Sequence, residues 1–240
     1  MKIFLAGASG VIGRRLVPLL RAAGHDVIGT TRSQEKVAAV ATLGATPVLV
    51  DVFDAAALMR AVQDAAPQVV MHQLTDLPHG PGTPGYEAGL ERNARLRIDG
   101  TRNLVAAAKA AGVTRLIAQS IAFVYAPGDG VRVETDALDL GATGARRRTV
   151  DGVLALEDAT LQMPEGIVLR YGLLYGPGTW FEREKRGAPS LHVDAAAHAA
   201  LLALTEAKRG IYNVAEDDGA VSSEKAERDF GFAAAFRIKS

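Results

Sequence analysis

Cysteine is absent from the 240 residues. That excludes disulfides, thiolate metal centres and a cysteine nucleophile, and it suits a reducing cytoplasm, the expected location. An excess of either charge is also missing. Lys+Arg and Asp+Glu each number 27, so no overall field draws the chain to nucleic acid or an anionic membrane, and neither is expected as a partner. An N-terminal targeting run is lacking too: one lysine leads directly into "IFLAG", too short for a secretory apolar region, which predicts a soluble protein. No metal site is expected. The single basic run, Arg146 to Arg148, reads as the solvated start of a helix.

What is present fills a core. Hydrophobic residues make up 48% of the chain, enough for one large domain with a small appendage and no covalent staples. Short apolar runs alternate with alanine-rich segments of helical period: "KIFLA" and Val11 to Ala23, "DVIGT" and Gln34 to Leu43, "TPVLVD" and Ala55 to Ala65, "QVVMH" and Arg95 to Ala111. "RLIAQS", a helix near Thr149 to Leu161, and "GIVLRYG" continue the series. Such alternation predicts βαβ units, since parallel strands need a crossover. The expected fold is α/β, a Rossmann-like doubly wound parallel sheet. Gly24, Gly44 and Gly112 follow three of the helices as left-handed C′ stops, and Asp54 suits the N-cap of the helix at Ala55. Residues 1–176 are read as a dinucleotide-binding domain and 177–240 as a small C-terminal region completing the substrate side. Three irregular stretches, Thr75 to Glu91, Ala126 to Gly144 and Tyr175 to Trp180, overhang one rim of the sheet.

Gly7, Gly10 and Gly13 follow the first strand and open the first helix. Gly7 permits a turn closed to side chains, Gly10 lets backbone approach a pyrophosphate, and Gly13 lets the helix pack closely. The helix N-terminus then offers free N–H groups and a positive dipole end to the phosphates. The second strand ends "VIGTTRS", with no acid for a ribose 2′-hydroxyl but with Thr30, Thr31, Arg32 and Ser33. That set favours a 2′-phosphate, hence NADP, with NAD as the alternative. Asp51 is a candidate for the adenine amino group, with Val52 beside the ring.

The Gly-x-x-Gly-x-x-Gly spacing, "VVMHQLT", "GTRNLVAAAKAAGVTRLIAQSIAFVY", "LRYGLLYGPGTW", "LHVDAAAHAALLAL" and "GIYNVAEDDG" together resemble the NAD(P)-dependent epimerase/dehydratase family of the extended short-chain dehydrogenase/reductase superfamily. The resemblance covers nearly the whole chain. It implies that Gly7, Ser9, Gly10, Val11 and Ile12 line the pyrophosphate, that Leu74 and Thr75 pass under the cofactor ribose, and that substrate sits over Tyr125 and the Tyr175 loop. It also implies pairing of two copies through the fourth and fifth helices, a possible homodimer for which "LVAAAKAA" and "VDGVLALEDATL" would serve.

The family's chemistry uses a tyrosine activated by a lysine four residues on. None of the five tyrosines here has that lysine, and alignment through Glu157 puts Thr149 and Val153 in the two places. Ser120 and Tyr125 are the remaining catalytic candidates. His72 and His192 read as structural, and Arg97 and Arg170 as possible contacts for an anionic substrate or local carboxylates. Two functions are therefore expected: an oxidoreductase or epimerase-like enzyme acting on a small carbonyl or hydroxyl substrate by an unusual proton path, or a non-catalytic NADP(H)-binding regulatory or scaffold protein.

Overall fold

Alternate side chains of β1 (Lys2–Ala6) divide between two cores: Ile3 and Leu5 enter one, Phe4 and Ala6 the other. Strand β4 (Val69–His72) divides in the same way, with Val69 and Met71 opposite Val70. Burial on both faces is what a parallel sheet covered by helices on each side demands. A computed structural model describes residues 1–77 and 80–239. It places β1 beside β2 (Asp26–Thr31), which pairs with β3 (Thr46–Leu49) at the edge. On the other side of β1 lie β4, β5 (Arg115–Ile121), β6 (Glu165–Tyr171) and β9 (Gly210–Val214). All six pairings are parallel. The strand order reverses between β1 and β4, and the turn after β1 stands at this switch point, where ligands of such sheets bind.

Helix α1 (Gly13–Ala22) covers one face. Helices α2 (Val37–Thr42) and α3 (Ala55–Ala65) follow β2 and β3. Gly24, Gly44 and Gly112 are left-handed, and the Asp54 carboxylate accepts from Ala57 N–H at 2.9 Å as the N-cap of α3.

The stretch after β4 departs from expectation. A loop was expected from Thr75 to Glu91, yet α4 (Tyr86–Arg95) starts at Tyr86, led in by the left-handed Gly85; Pro78 and His79 lie outside the described residues. A π-helical segment, Leu96–Gly100, joins α4 to α5 (Thr101–Ala110) without a break. The expected basic helix start opens α6 (Gly144–Leu161), and Gly152 packs within the chain on Ala94, where a Cβ would come within 3.1 Å of backbone.

Residues after 176 share the main sheet through β9. They also supply β8 (Ser190–His192), which pairs with β7 (Leu173–Tyr175) in a two-stranded patch, then α7 (Val193–Ala203) and α8 (Glu224–Phe230). The buried alanines of α7 let it lie close on α1. Arg15 fastens the two helices, donating to Asp194 and to the Pro177 carbonyl, each at 2.7 Å. Among the described residues no helix is long and apolar enough to cross a membrane.

His72 ends β4, fully buried. Leu74 N–H donates to its Nδ1 at 3.2 Å, so the proton sits on Nε2 and is shared with Thr101 Oγ1 at 3.0 Å. Burial, and then the charge of Arg97, push its pKa down to about 4. Because the unfolded chain binds this proton first, folding stability is intact above the ordinary histidine value near 6.5 and falls as pH drops toward 4. We expect a loss of roughly 3 kcal/mol from this group across that window, read by chemical denaturation at stepped pH, and a shallower slope in His72→Gln.

Candidate active site

The turn after β1 is closed by backbone. Gly7 has φ +97°, and a Cβ there would lie 2.7 Å from the Gln73 carbonyl oxygen. At Gly13 a Cβ would collide with the carbonyls of Gly7 and Ala8, so this glycine brings the helix onto the turn itself rather than onto the sheet. Helix α1 has no side-chain cap and no acid in its first turn. Among the described residues the N–H groups of Ser9, Val11 and Ile12 have no acceptor. Uncapped amides at a positive helix end fit an anion, and a dinucleotide diphosphate suits the glycine-lined approach.

The end of β2 braces the glycine turn through its threonines. Thr30 Oγ1 accepts from Gly7 N–H at 3.3 Å, and Thr31 Oγ1 receives Ser9 Oγ at 3.3 Å. Both threonines are buried and brace the glycine turn. Arg32 reaches Asp76, its two terminal nitrogens 3.2 and 3.3 Å from the carboxylate oxygens, and Arg92 approaches the same carboxylate at 3.7 Å. Asp51 accepts from Phe53 N–H, while Val52 packs beside Gly100. Leu74 is positioned by His72, and Thr75 stands at the wall of a cavity.

That cavity, about 450 Å³, begins at Val11 and Ile12 and runs between α4, the ends of β5 and β6, and the loop that carries Trp180. A larger hollow of about 850 Å³ opens beside β3 and reaches Lys2 and Asp26 at the starts of their strands, the end opposite the glycine turn. Only the first adjoins the cradle. Gln73, Asn93, Arg97, Gln119, Thr149 and Tyr171 supply its polar wall, and Tyr86 and Trp180 meet edge-on at 6.0 Å across its mouth. Gln73 and Tyr171 bring buried polar groups that lack an aligned hydrogen bond. Tyr171 escaped the sequence reading, although as the end of β6 on the same face as Ile167 and Leu169 its direction follows from strand periodicity.

Ser120 and Tyr125 are not at this wall. Leu116, Ala118 and Ser120 share one face of β5, while Gln119 and Ile121 face the cavity. Ser120 Oγ donates to Glu157 at 2.7 Å. Glu157 takes two hydrogen bonds from Arg170, at 2.8 and 2.6 Å. Arg170 also donates to the Tyr125 hydroxyl at 2.8 Å, which donates to Asn213 Oδ1 at 2.6 Å. The geometry thus turns both catalytic candidates into a buried network, and burial pushes the Tyr125 phenol up, away from any role as a neutral-pH acid. Tyr175 is engaged as well, donating to Glu216 at 2.6 Å and accepting from Arg237 at 3.0 Å. Its loop reaches the cavity through Gly178, Thr179 and Trp180.

The profile of the NAD(P)H-binding family matches residues 7–154. A 3-diazoavenalumate denitrifying reductase from Streptomyces sp is 38% identical over 246 residues, covering 93% of this chain and 79% of that protein. MoeE5, solved in complex with UDP-glucuronic acid and NAD, superposes with a TM-score of 0.75 at 19% identity, covering 99% of this chain and 95% of its own. The Bordetella bronchiseptica enzyme WbmG in complex with NAD gives 0.72 at 20% identity over 99% and 90% of the two chains. The chain therefore shares the Rossmann-like α/β fold of these two proteins.

Two substitutions separate the cradle from the network. Gly13→Ala is expected to weaken NAD(P)H binding at least about tenfold, read by dihydronicotinamide fluorescence, and to destabilise by roughly 2 kcal/mol or more. Ser120→Ala and Tyr125→Phe should each lower stability by about 1–2 kcal/mol in chemical denaturation and leave cofactor affinity unchanged.

Proposed function

This chain belongs to the NAD(P)H-binding family, and from that membership we propose that it is a nicotinamide-dependent reductase whose substrate accepts hydride at an electrophilic carbon or nitrogen without needing a proton from the protein. One observation carries this reading. Among the described residues the cavity wall beside the cofactor cradle has no carboxylate, histidine or lysine. Its phenols, Tyr86 and Tyr171, are both pushed up by burial. Thr149, at the position matching the family tyrosine, donates its hydroxyl proton to the Ala145 carbonyl at 3.1 Å. Val153, at the position matching the lysine, is buried in an apolar cluster.

A carbonyl reduced here would leave a strongly basic alkoxide with no nearby acid to quench it. A diazo group, the class named for the Streptomyces relative, is different. When bound, reduced nicotinamide supplies a hydride, and arenediazonium plus NAD(P)H gives arene, dinitrogen and NAD(P)⁺ with atoms and charge closed. The protein's part is to seat the diphosphate on the α1 amides, to shape the cavity beside it, and to keep water away from the reacting carbon. For the adenosine end, Arg32 and Arg92 place two cations around one carboxylate, Asp76. Their surplus charge supports NADP over NAD.

Incubation with an arenediazonium carboxylate and cofactor deuterated at C4 tests the reaction. Deuterium on the arene carbon that carried nitrogen, with one dinitrogen released per cofactor oxidised above the enzyme-free rate, is the expected result. Its rate should be flat in pH from about 6 to 8, since no wall group titrates there. Tight cofactor binding with no deuterium transfer to any substrate of this kind would return the chain to a regulatory, non-catalytic role. Arg32→Ala should weaken NADPH about 10- to 100-fold and NADH far less.

A further inference from the structure

Among the described residues five charged side chains are buried, and four have partners. Asp76 meets Arg32, Asp194 meets Arg15, and Glu157 and Arg170 hold each other in a two-pronged pair. Arg97 is the exception. It is 6% exposed, lines the cavity, and among the described residues makes neither a hydrogen bond nor an ion pair. The buried carboxylate whose field reaches it, Glu157, is already neutralised by Arg170. An unpaired guanidinium in the interior is costly, and the fold sets it there on the π-helical segment, the one irregular turn of a continuous helix. The missing anion must enter with a ligand.

The rest of the cavity describes that ligand's body. Tyr86 and Trp180 form an aromatic corner at the mouth, Trp180 is 38% exposed, and Phe123 on the rim is 36% exposed. These faces are left for an apolar planar group to cover. Among the described residues no second cation lines this wall, so one negative charge is balanced there, as a carboxylate requires and a diphosphate does not.

We propose that Arg97 anchors the carboxylate of a planar aromatic acid whose ring lies against Tyr86 and Trp180. This rests on the reductase reading for what happens next to that acid, while the anchor itself is a matter of binding.

The test uses the NADP⁺-loaded full chain and 4-hydroxycinnamate, its methyl ester and its amide as probes. Affinity is read by calorimetry and location by quenching of Trp180, the chain's one tryptophan. The acid should bind about 30-fold more tightly than ester or amide, the difference a charge-assisted pair provides. Arg97→Met should bring the acid down to the ester's level, Arg97→Lys should fall between, and Trp180→Ala should weaken acid and ester alike. Arg97→Met should also melt no lower than the parent, since it removes a buried charge that lacks a partner. Equal binding of acid and ester to the unaltered protein overturns the proposal without recourse to any variant. So does an Arg97→Met protein that loses NADP⁺ affinity and keeps the acid's, which would assign the guanidinium to the cofactor. Acid bound through Arg97 with no deuterium transfer would leave the anchor standing and remove the reductase reading instead.

Discussion

Backbone meeting backbone at the first turn is the constraint on which the rest depends. Gly7 presses on the Gln73 carbonyl, and Gly13 on the carbonyls of Gly7 and Ala8. No side-chain rearrangement can relieve a Cβ at either place. The same closure leaves the amides at the start of α1 open and sets Val11 and Ile12 on the cavity wall. Gln73 then links the two halves of the site, since its carbonyl meets the glycine turn and the residue also lines the cavity. Thr30 and Thr31 complete the brace from β2. One set of atoms thus shapes both the open amides at the start of α1 and the adjoining cavity wall.

Charge inside the chain follows a consistent rule, and its one breach is informative. Arg170, Glu157, Ser120, Tyr125 and Asn213 form a chain of short hydrogen bonds that satisfies each charged group between β5, β6, β9 and α6. Such a network fixes packing and leaves the Ser120 and Tyr125 hydroxyl protons little freedom to move, because each already has an acceptor. Arg97 lies in the same interior without this closure. A protein that pairs Asp194 with Arg15 and Asp76 with Arg32 across tens of residues of sequence has the means to pair a guanidinium, so its isolation at a cavity wall points outward, to the guest.

Much of this was legible in the sequence where one local rule decides the outcome. The glycine spacing, the left-handed stops at Gly24, Gly44 and Gly112, the Asp54 cap and the strand alternation depend on neighbours within a few residues. The orientation of Ser120 was legible in principle, since Leu116 and Ala118 set its face two and four residues earlier, but a resemblance-based assignment drew it toward the cavity. The start of α4 at Tyr86 was hidden by the Pro- and Gly-rich stretch before it, whose turn signals end only at Gly85. The partners of Arg32 and Tyr125 were not legible, because Asp76 and Asn213 come to them only through the sheet order.

A cofactor cradle kept whole beside a cavity stripped of acid and base narrows the chemistry more than it weakens it. Hydride transfer needs a held donor, a nearby electrophile and excluded water, and on the reductase reading the cradle holds the donor while the cavity beside it, with its Tyr86 and Trp180 corner, receives the electrophile. Proton transfer is a separate requirement that depends on the substrate. When the carbon–nitrogen bonding pair leaves with a neutral gas and the hydride pair becomes the new carbon–hydrogen bond, the product carbon is already uncharged, and a tyrosine lowered toward neutrality by a lysine has nothing to protonate. Arg97, on the π-helical segment, is the charge that faces this cavity among the described residues.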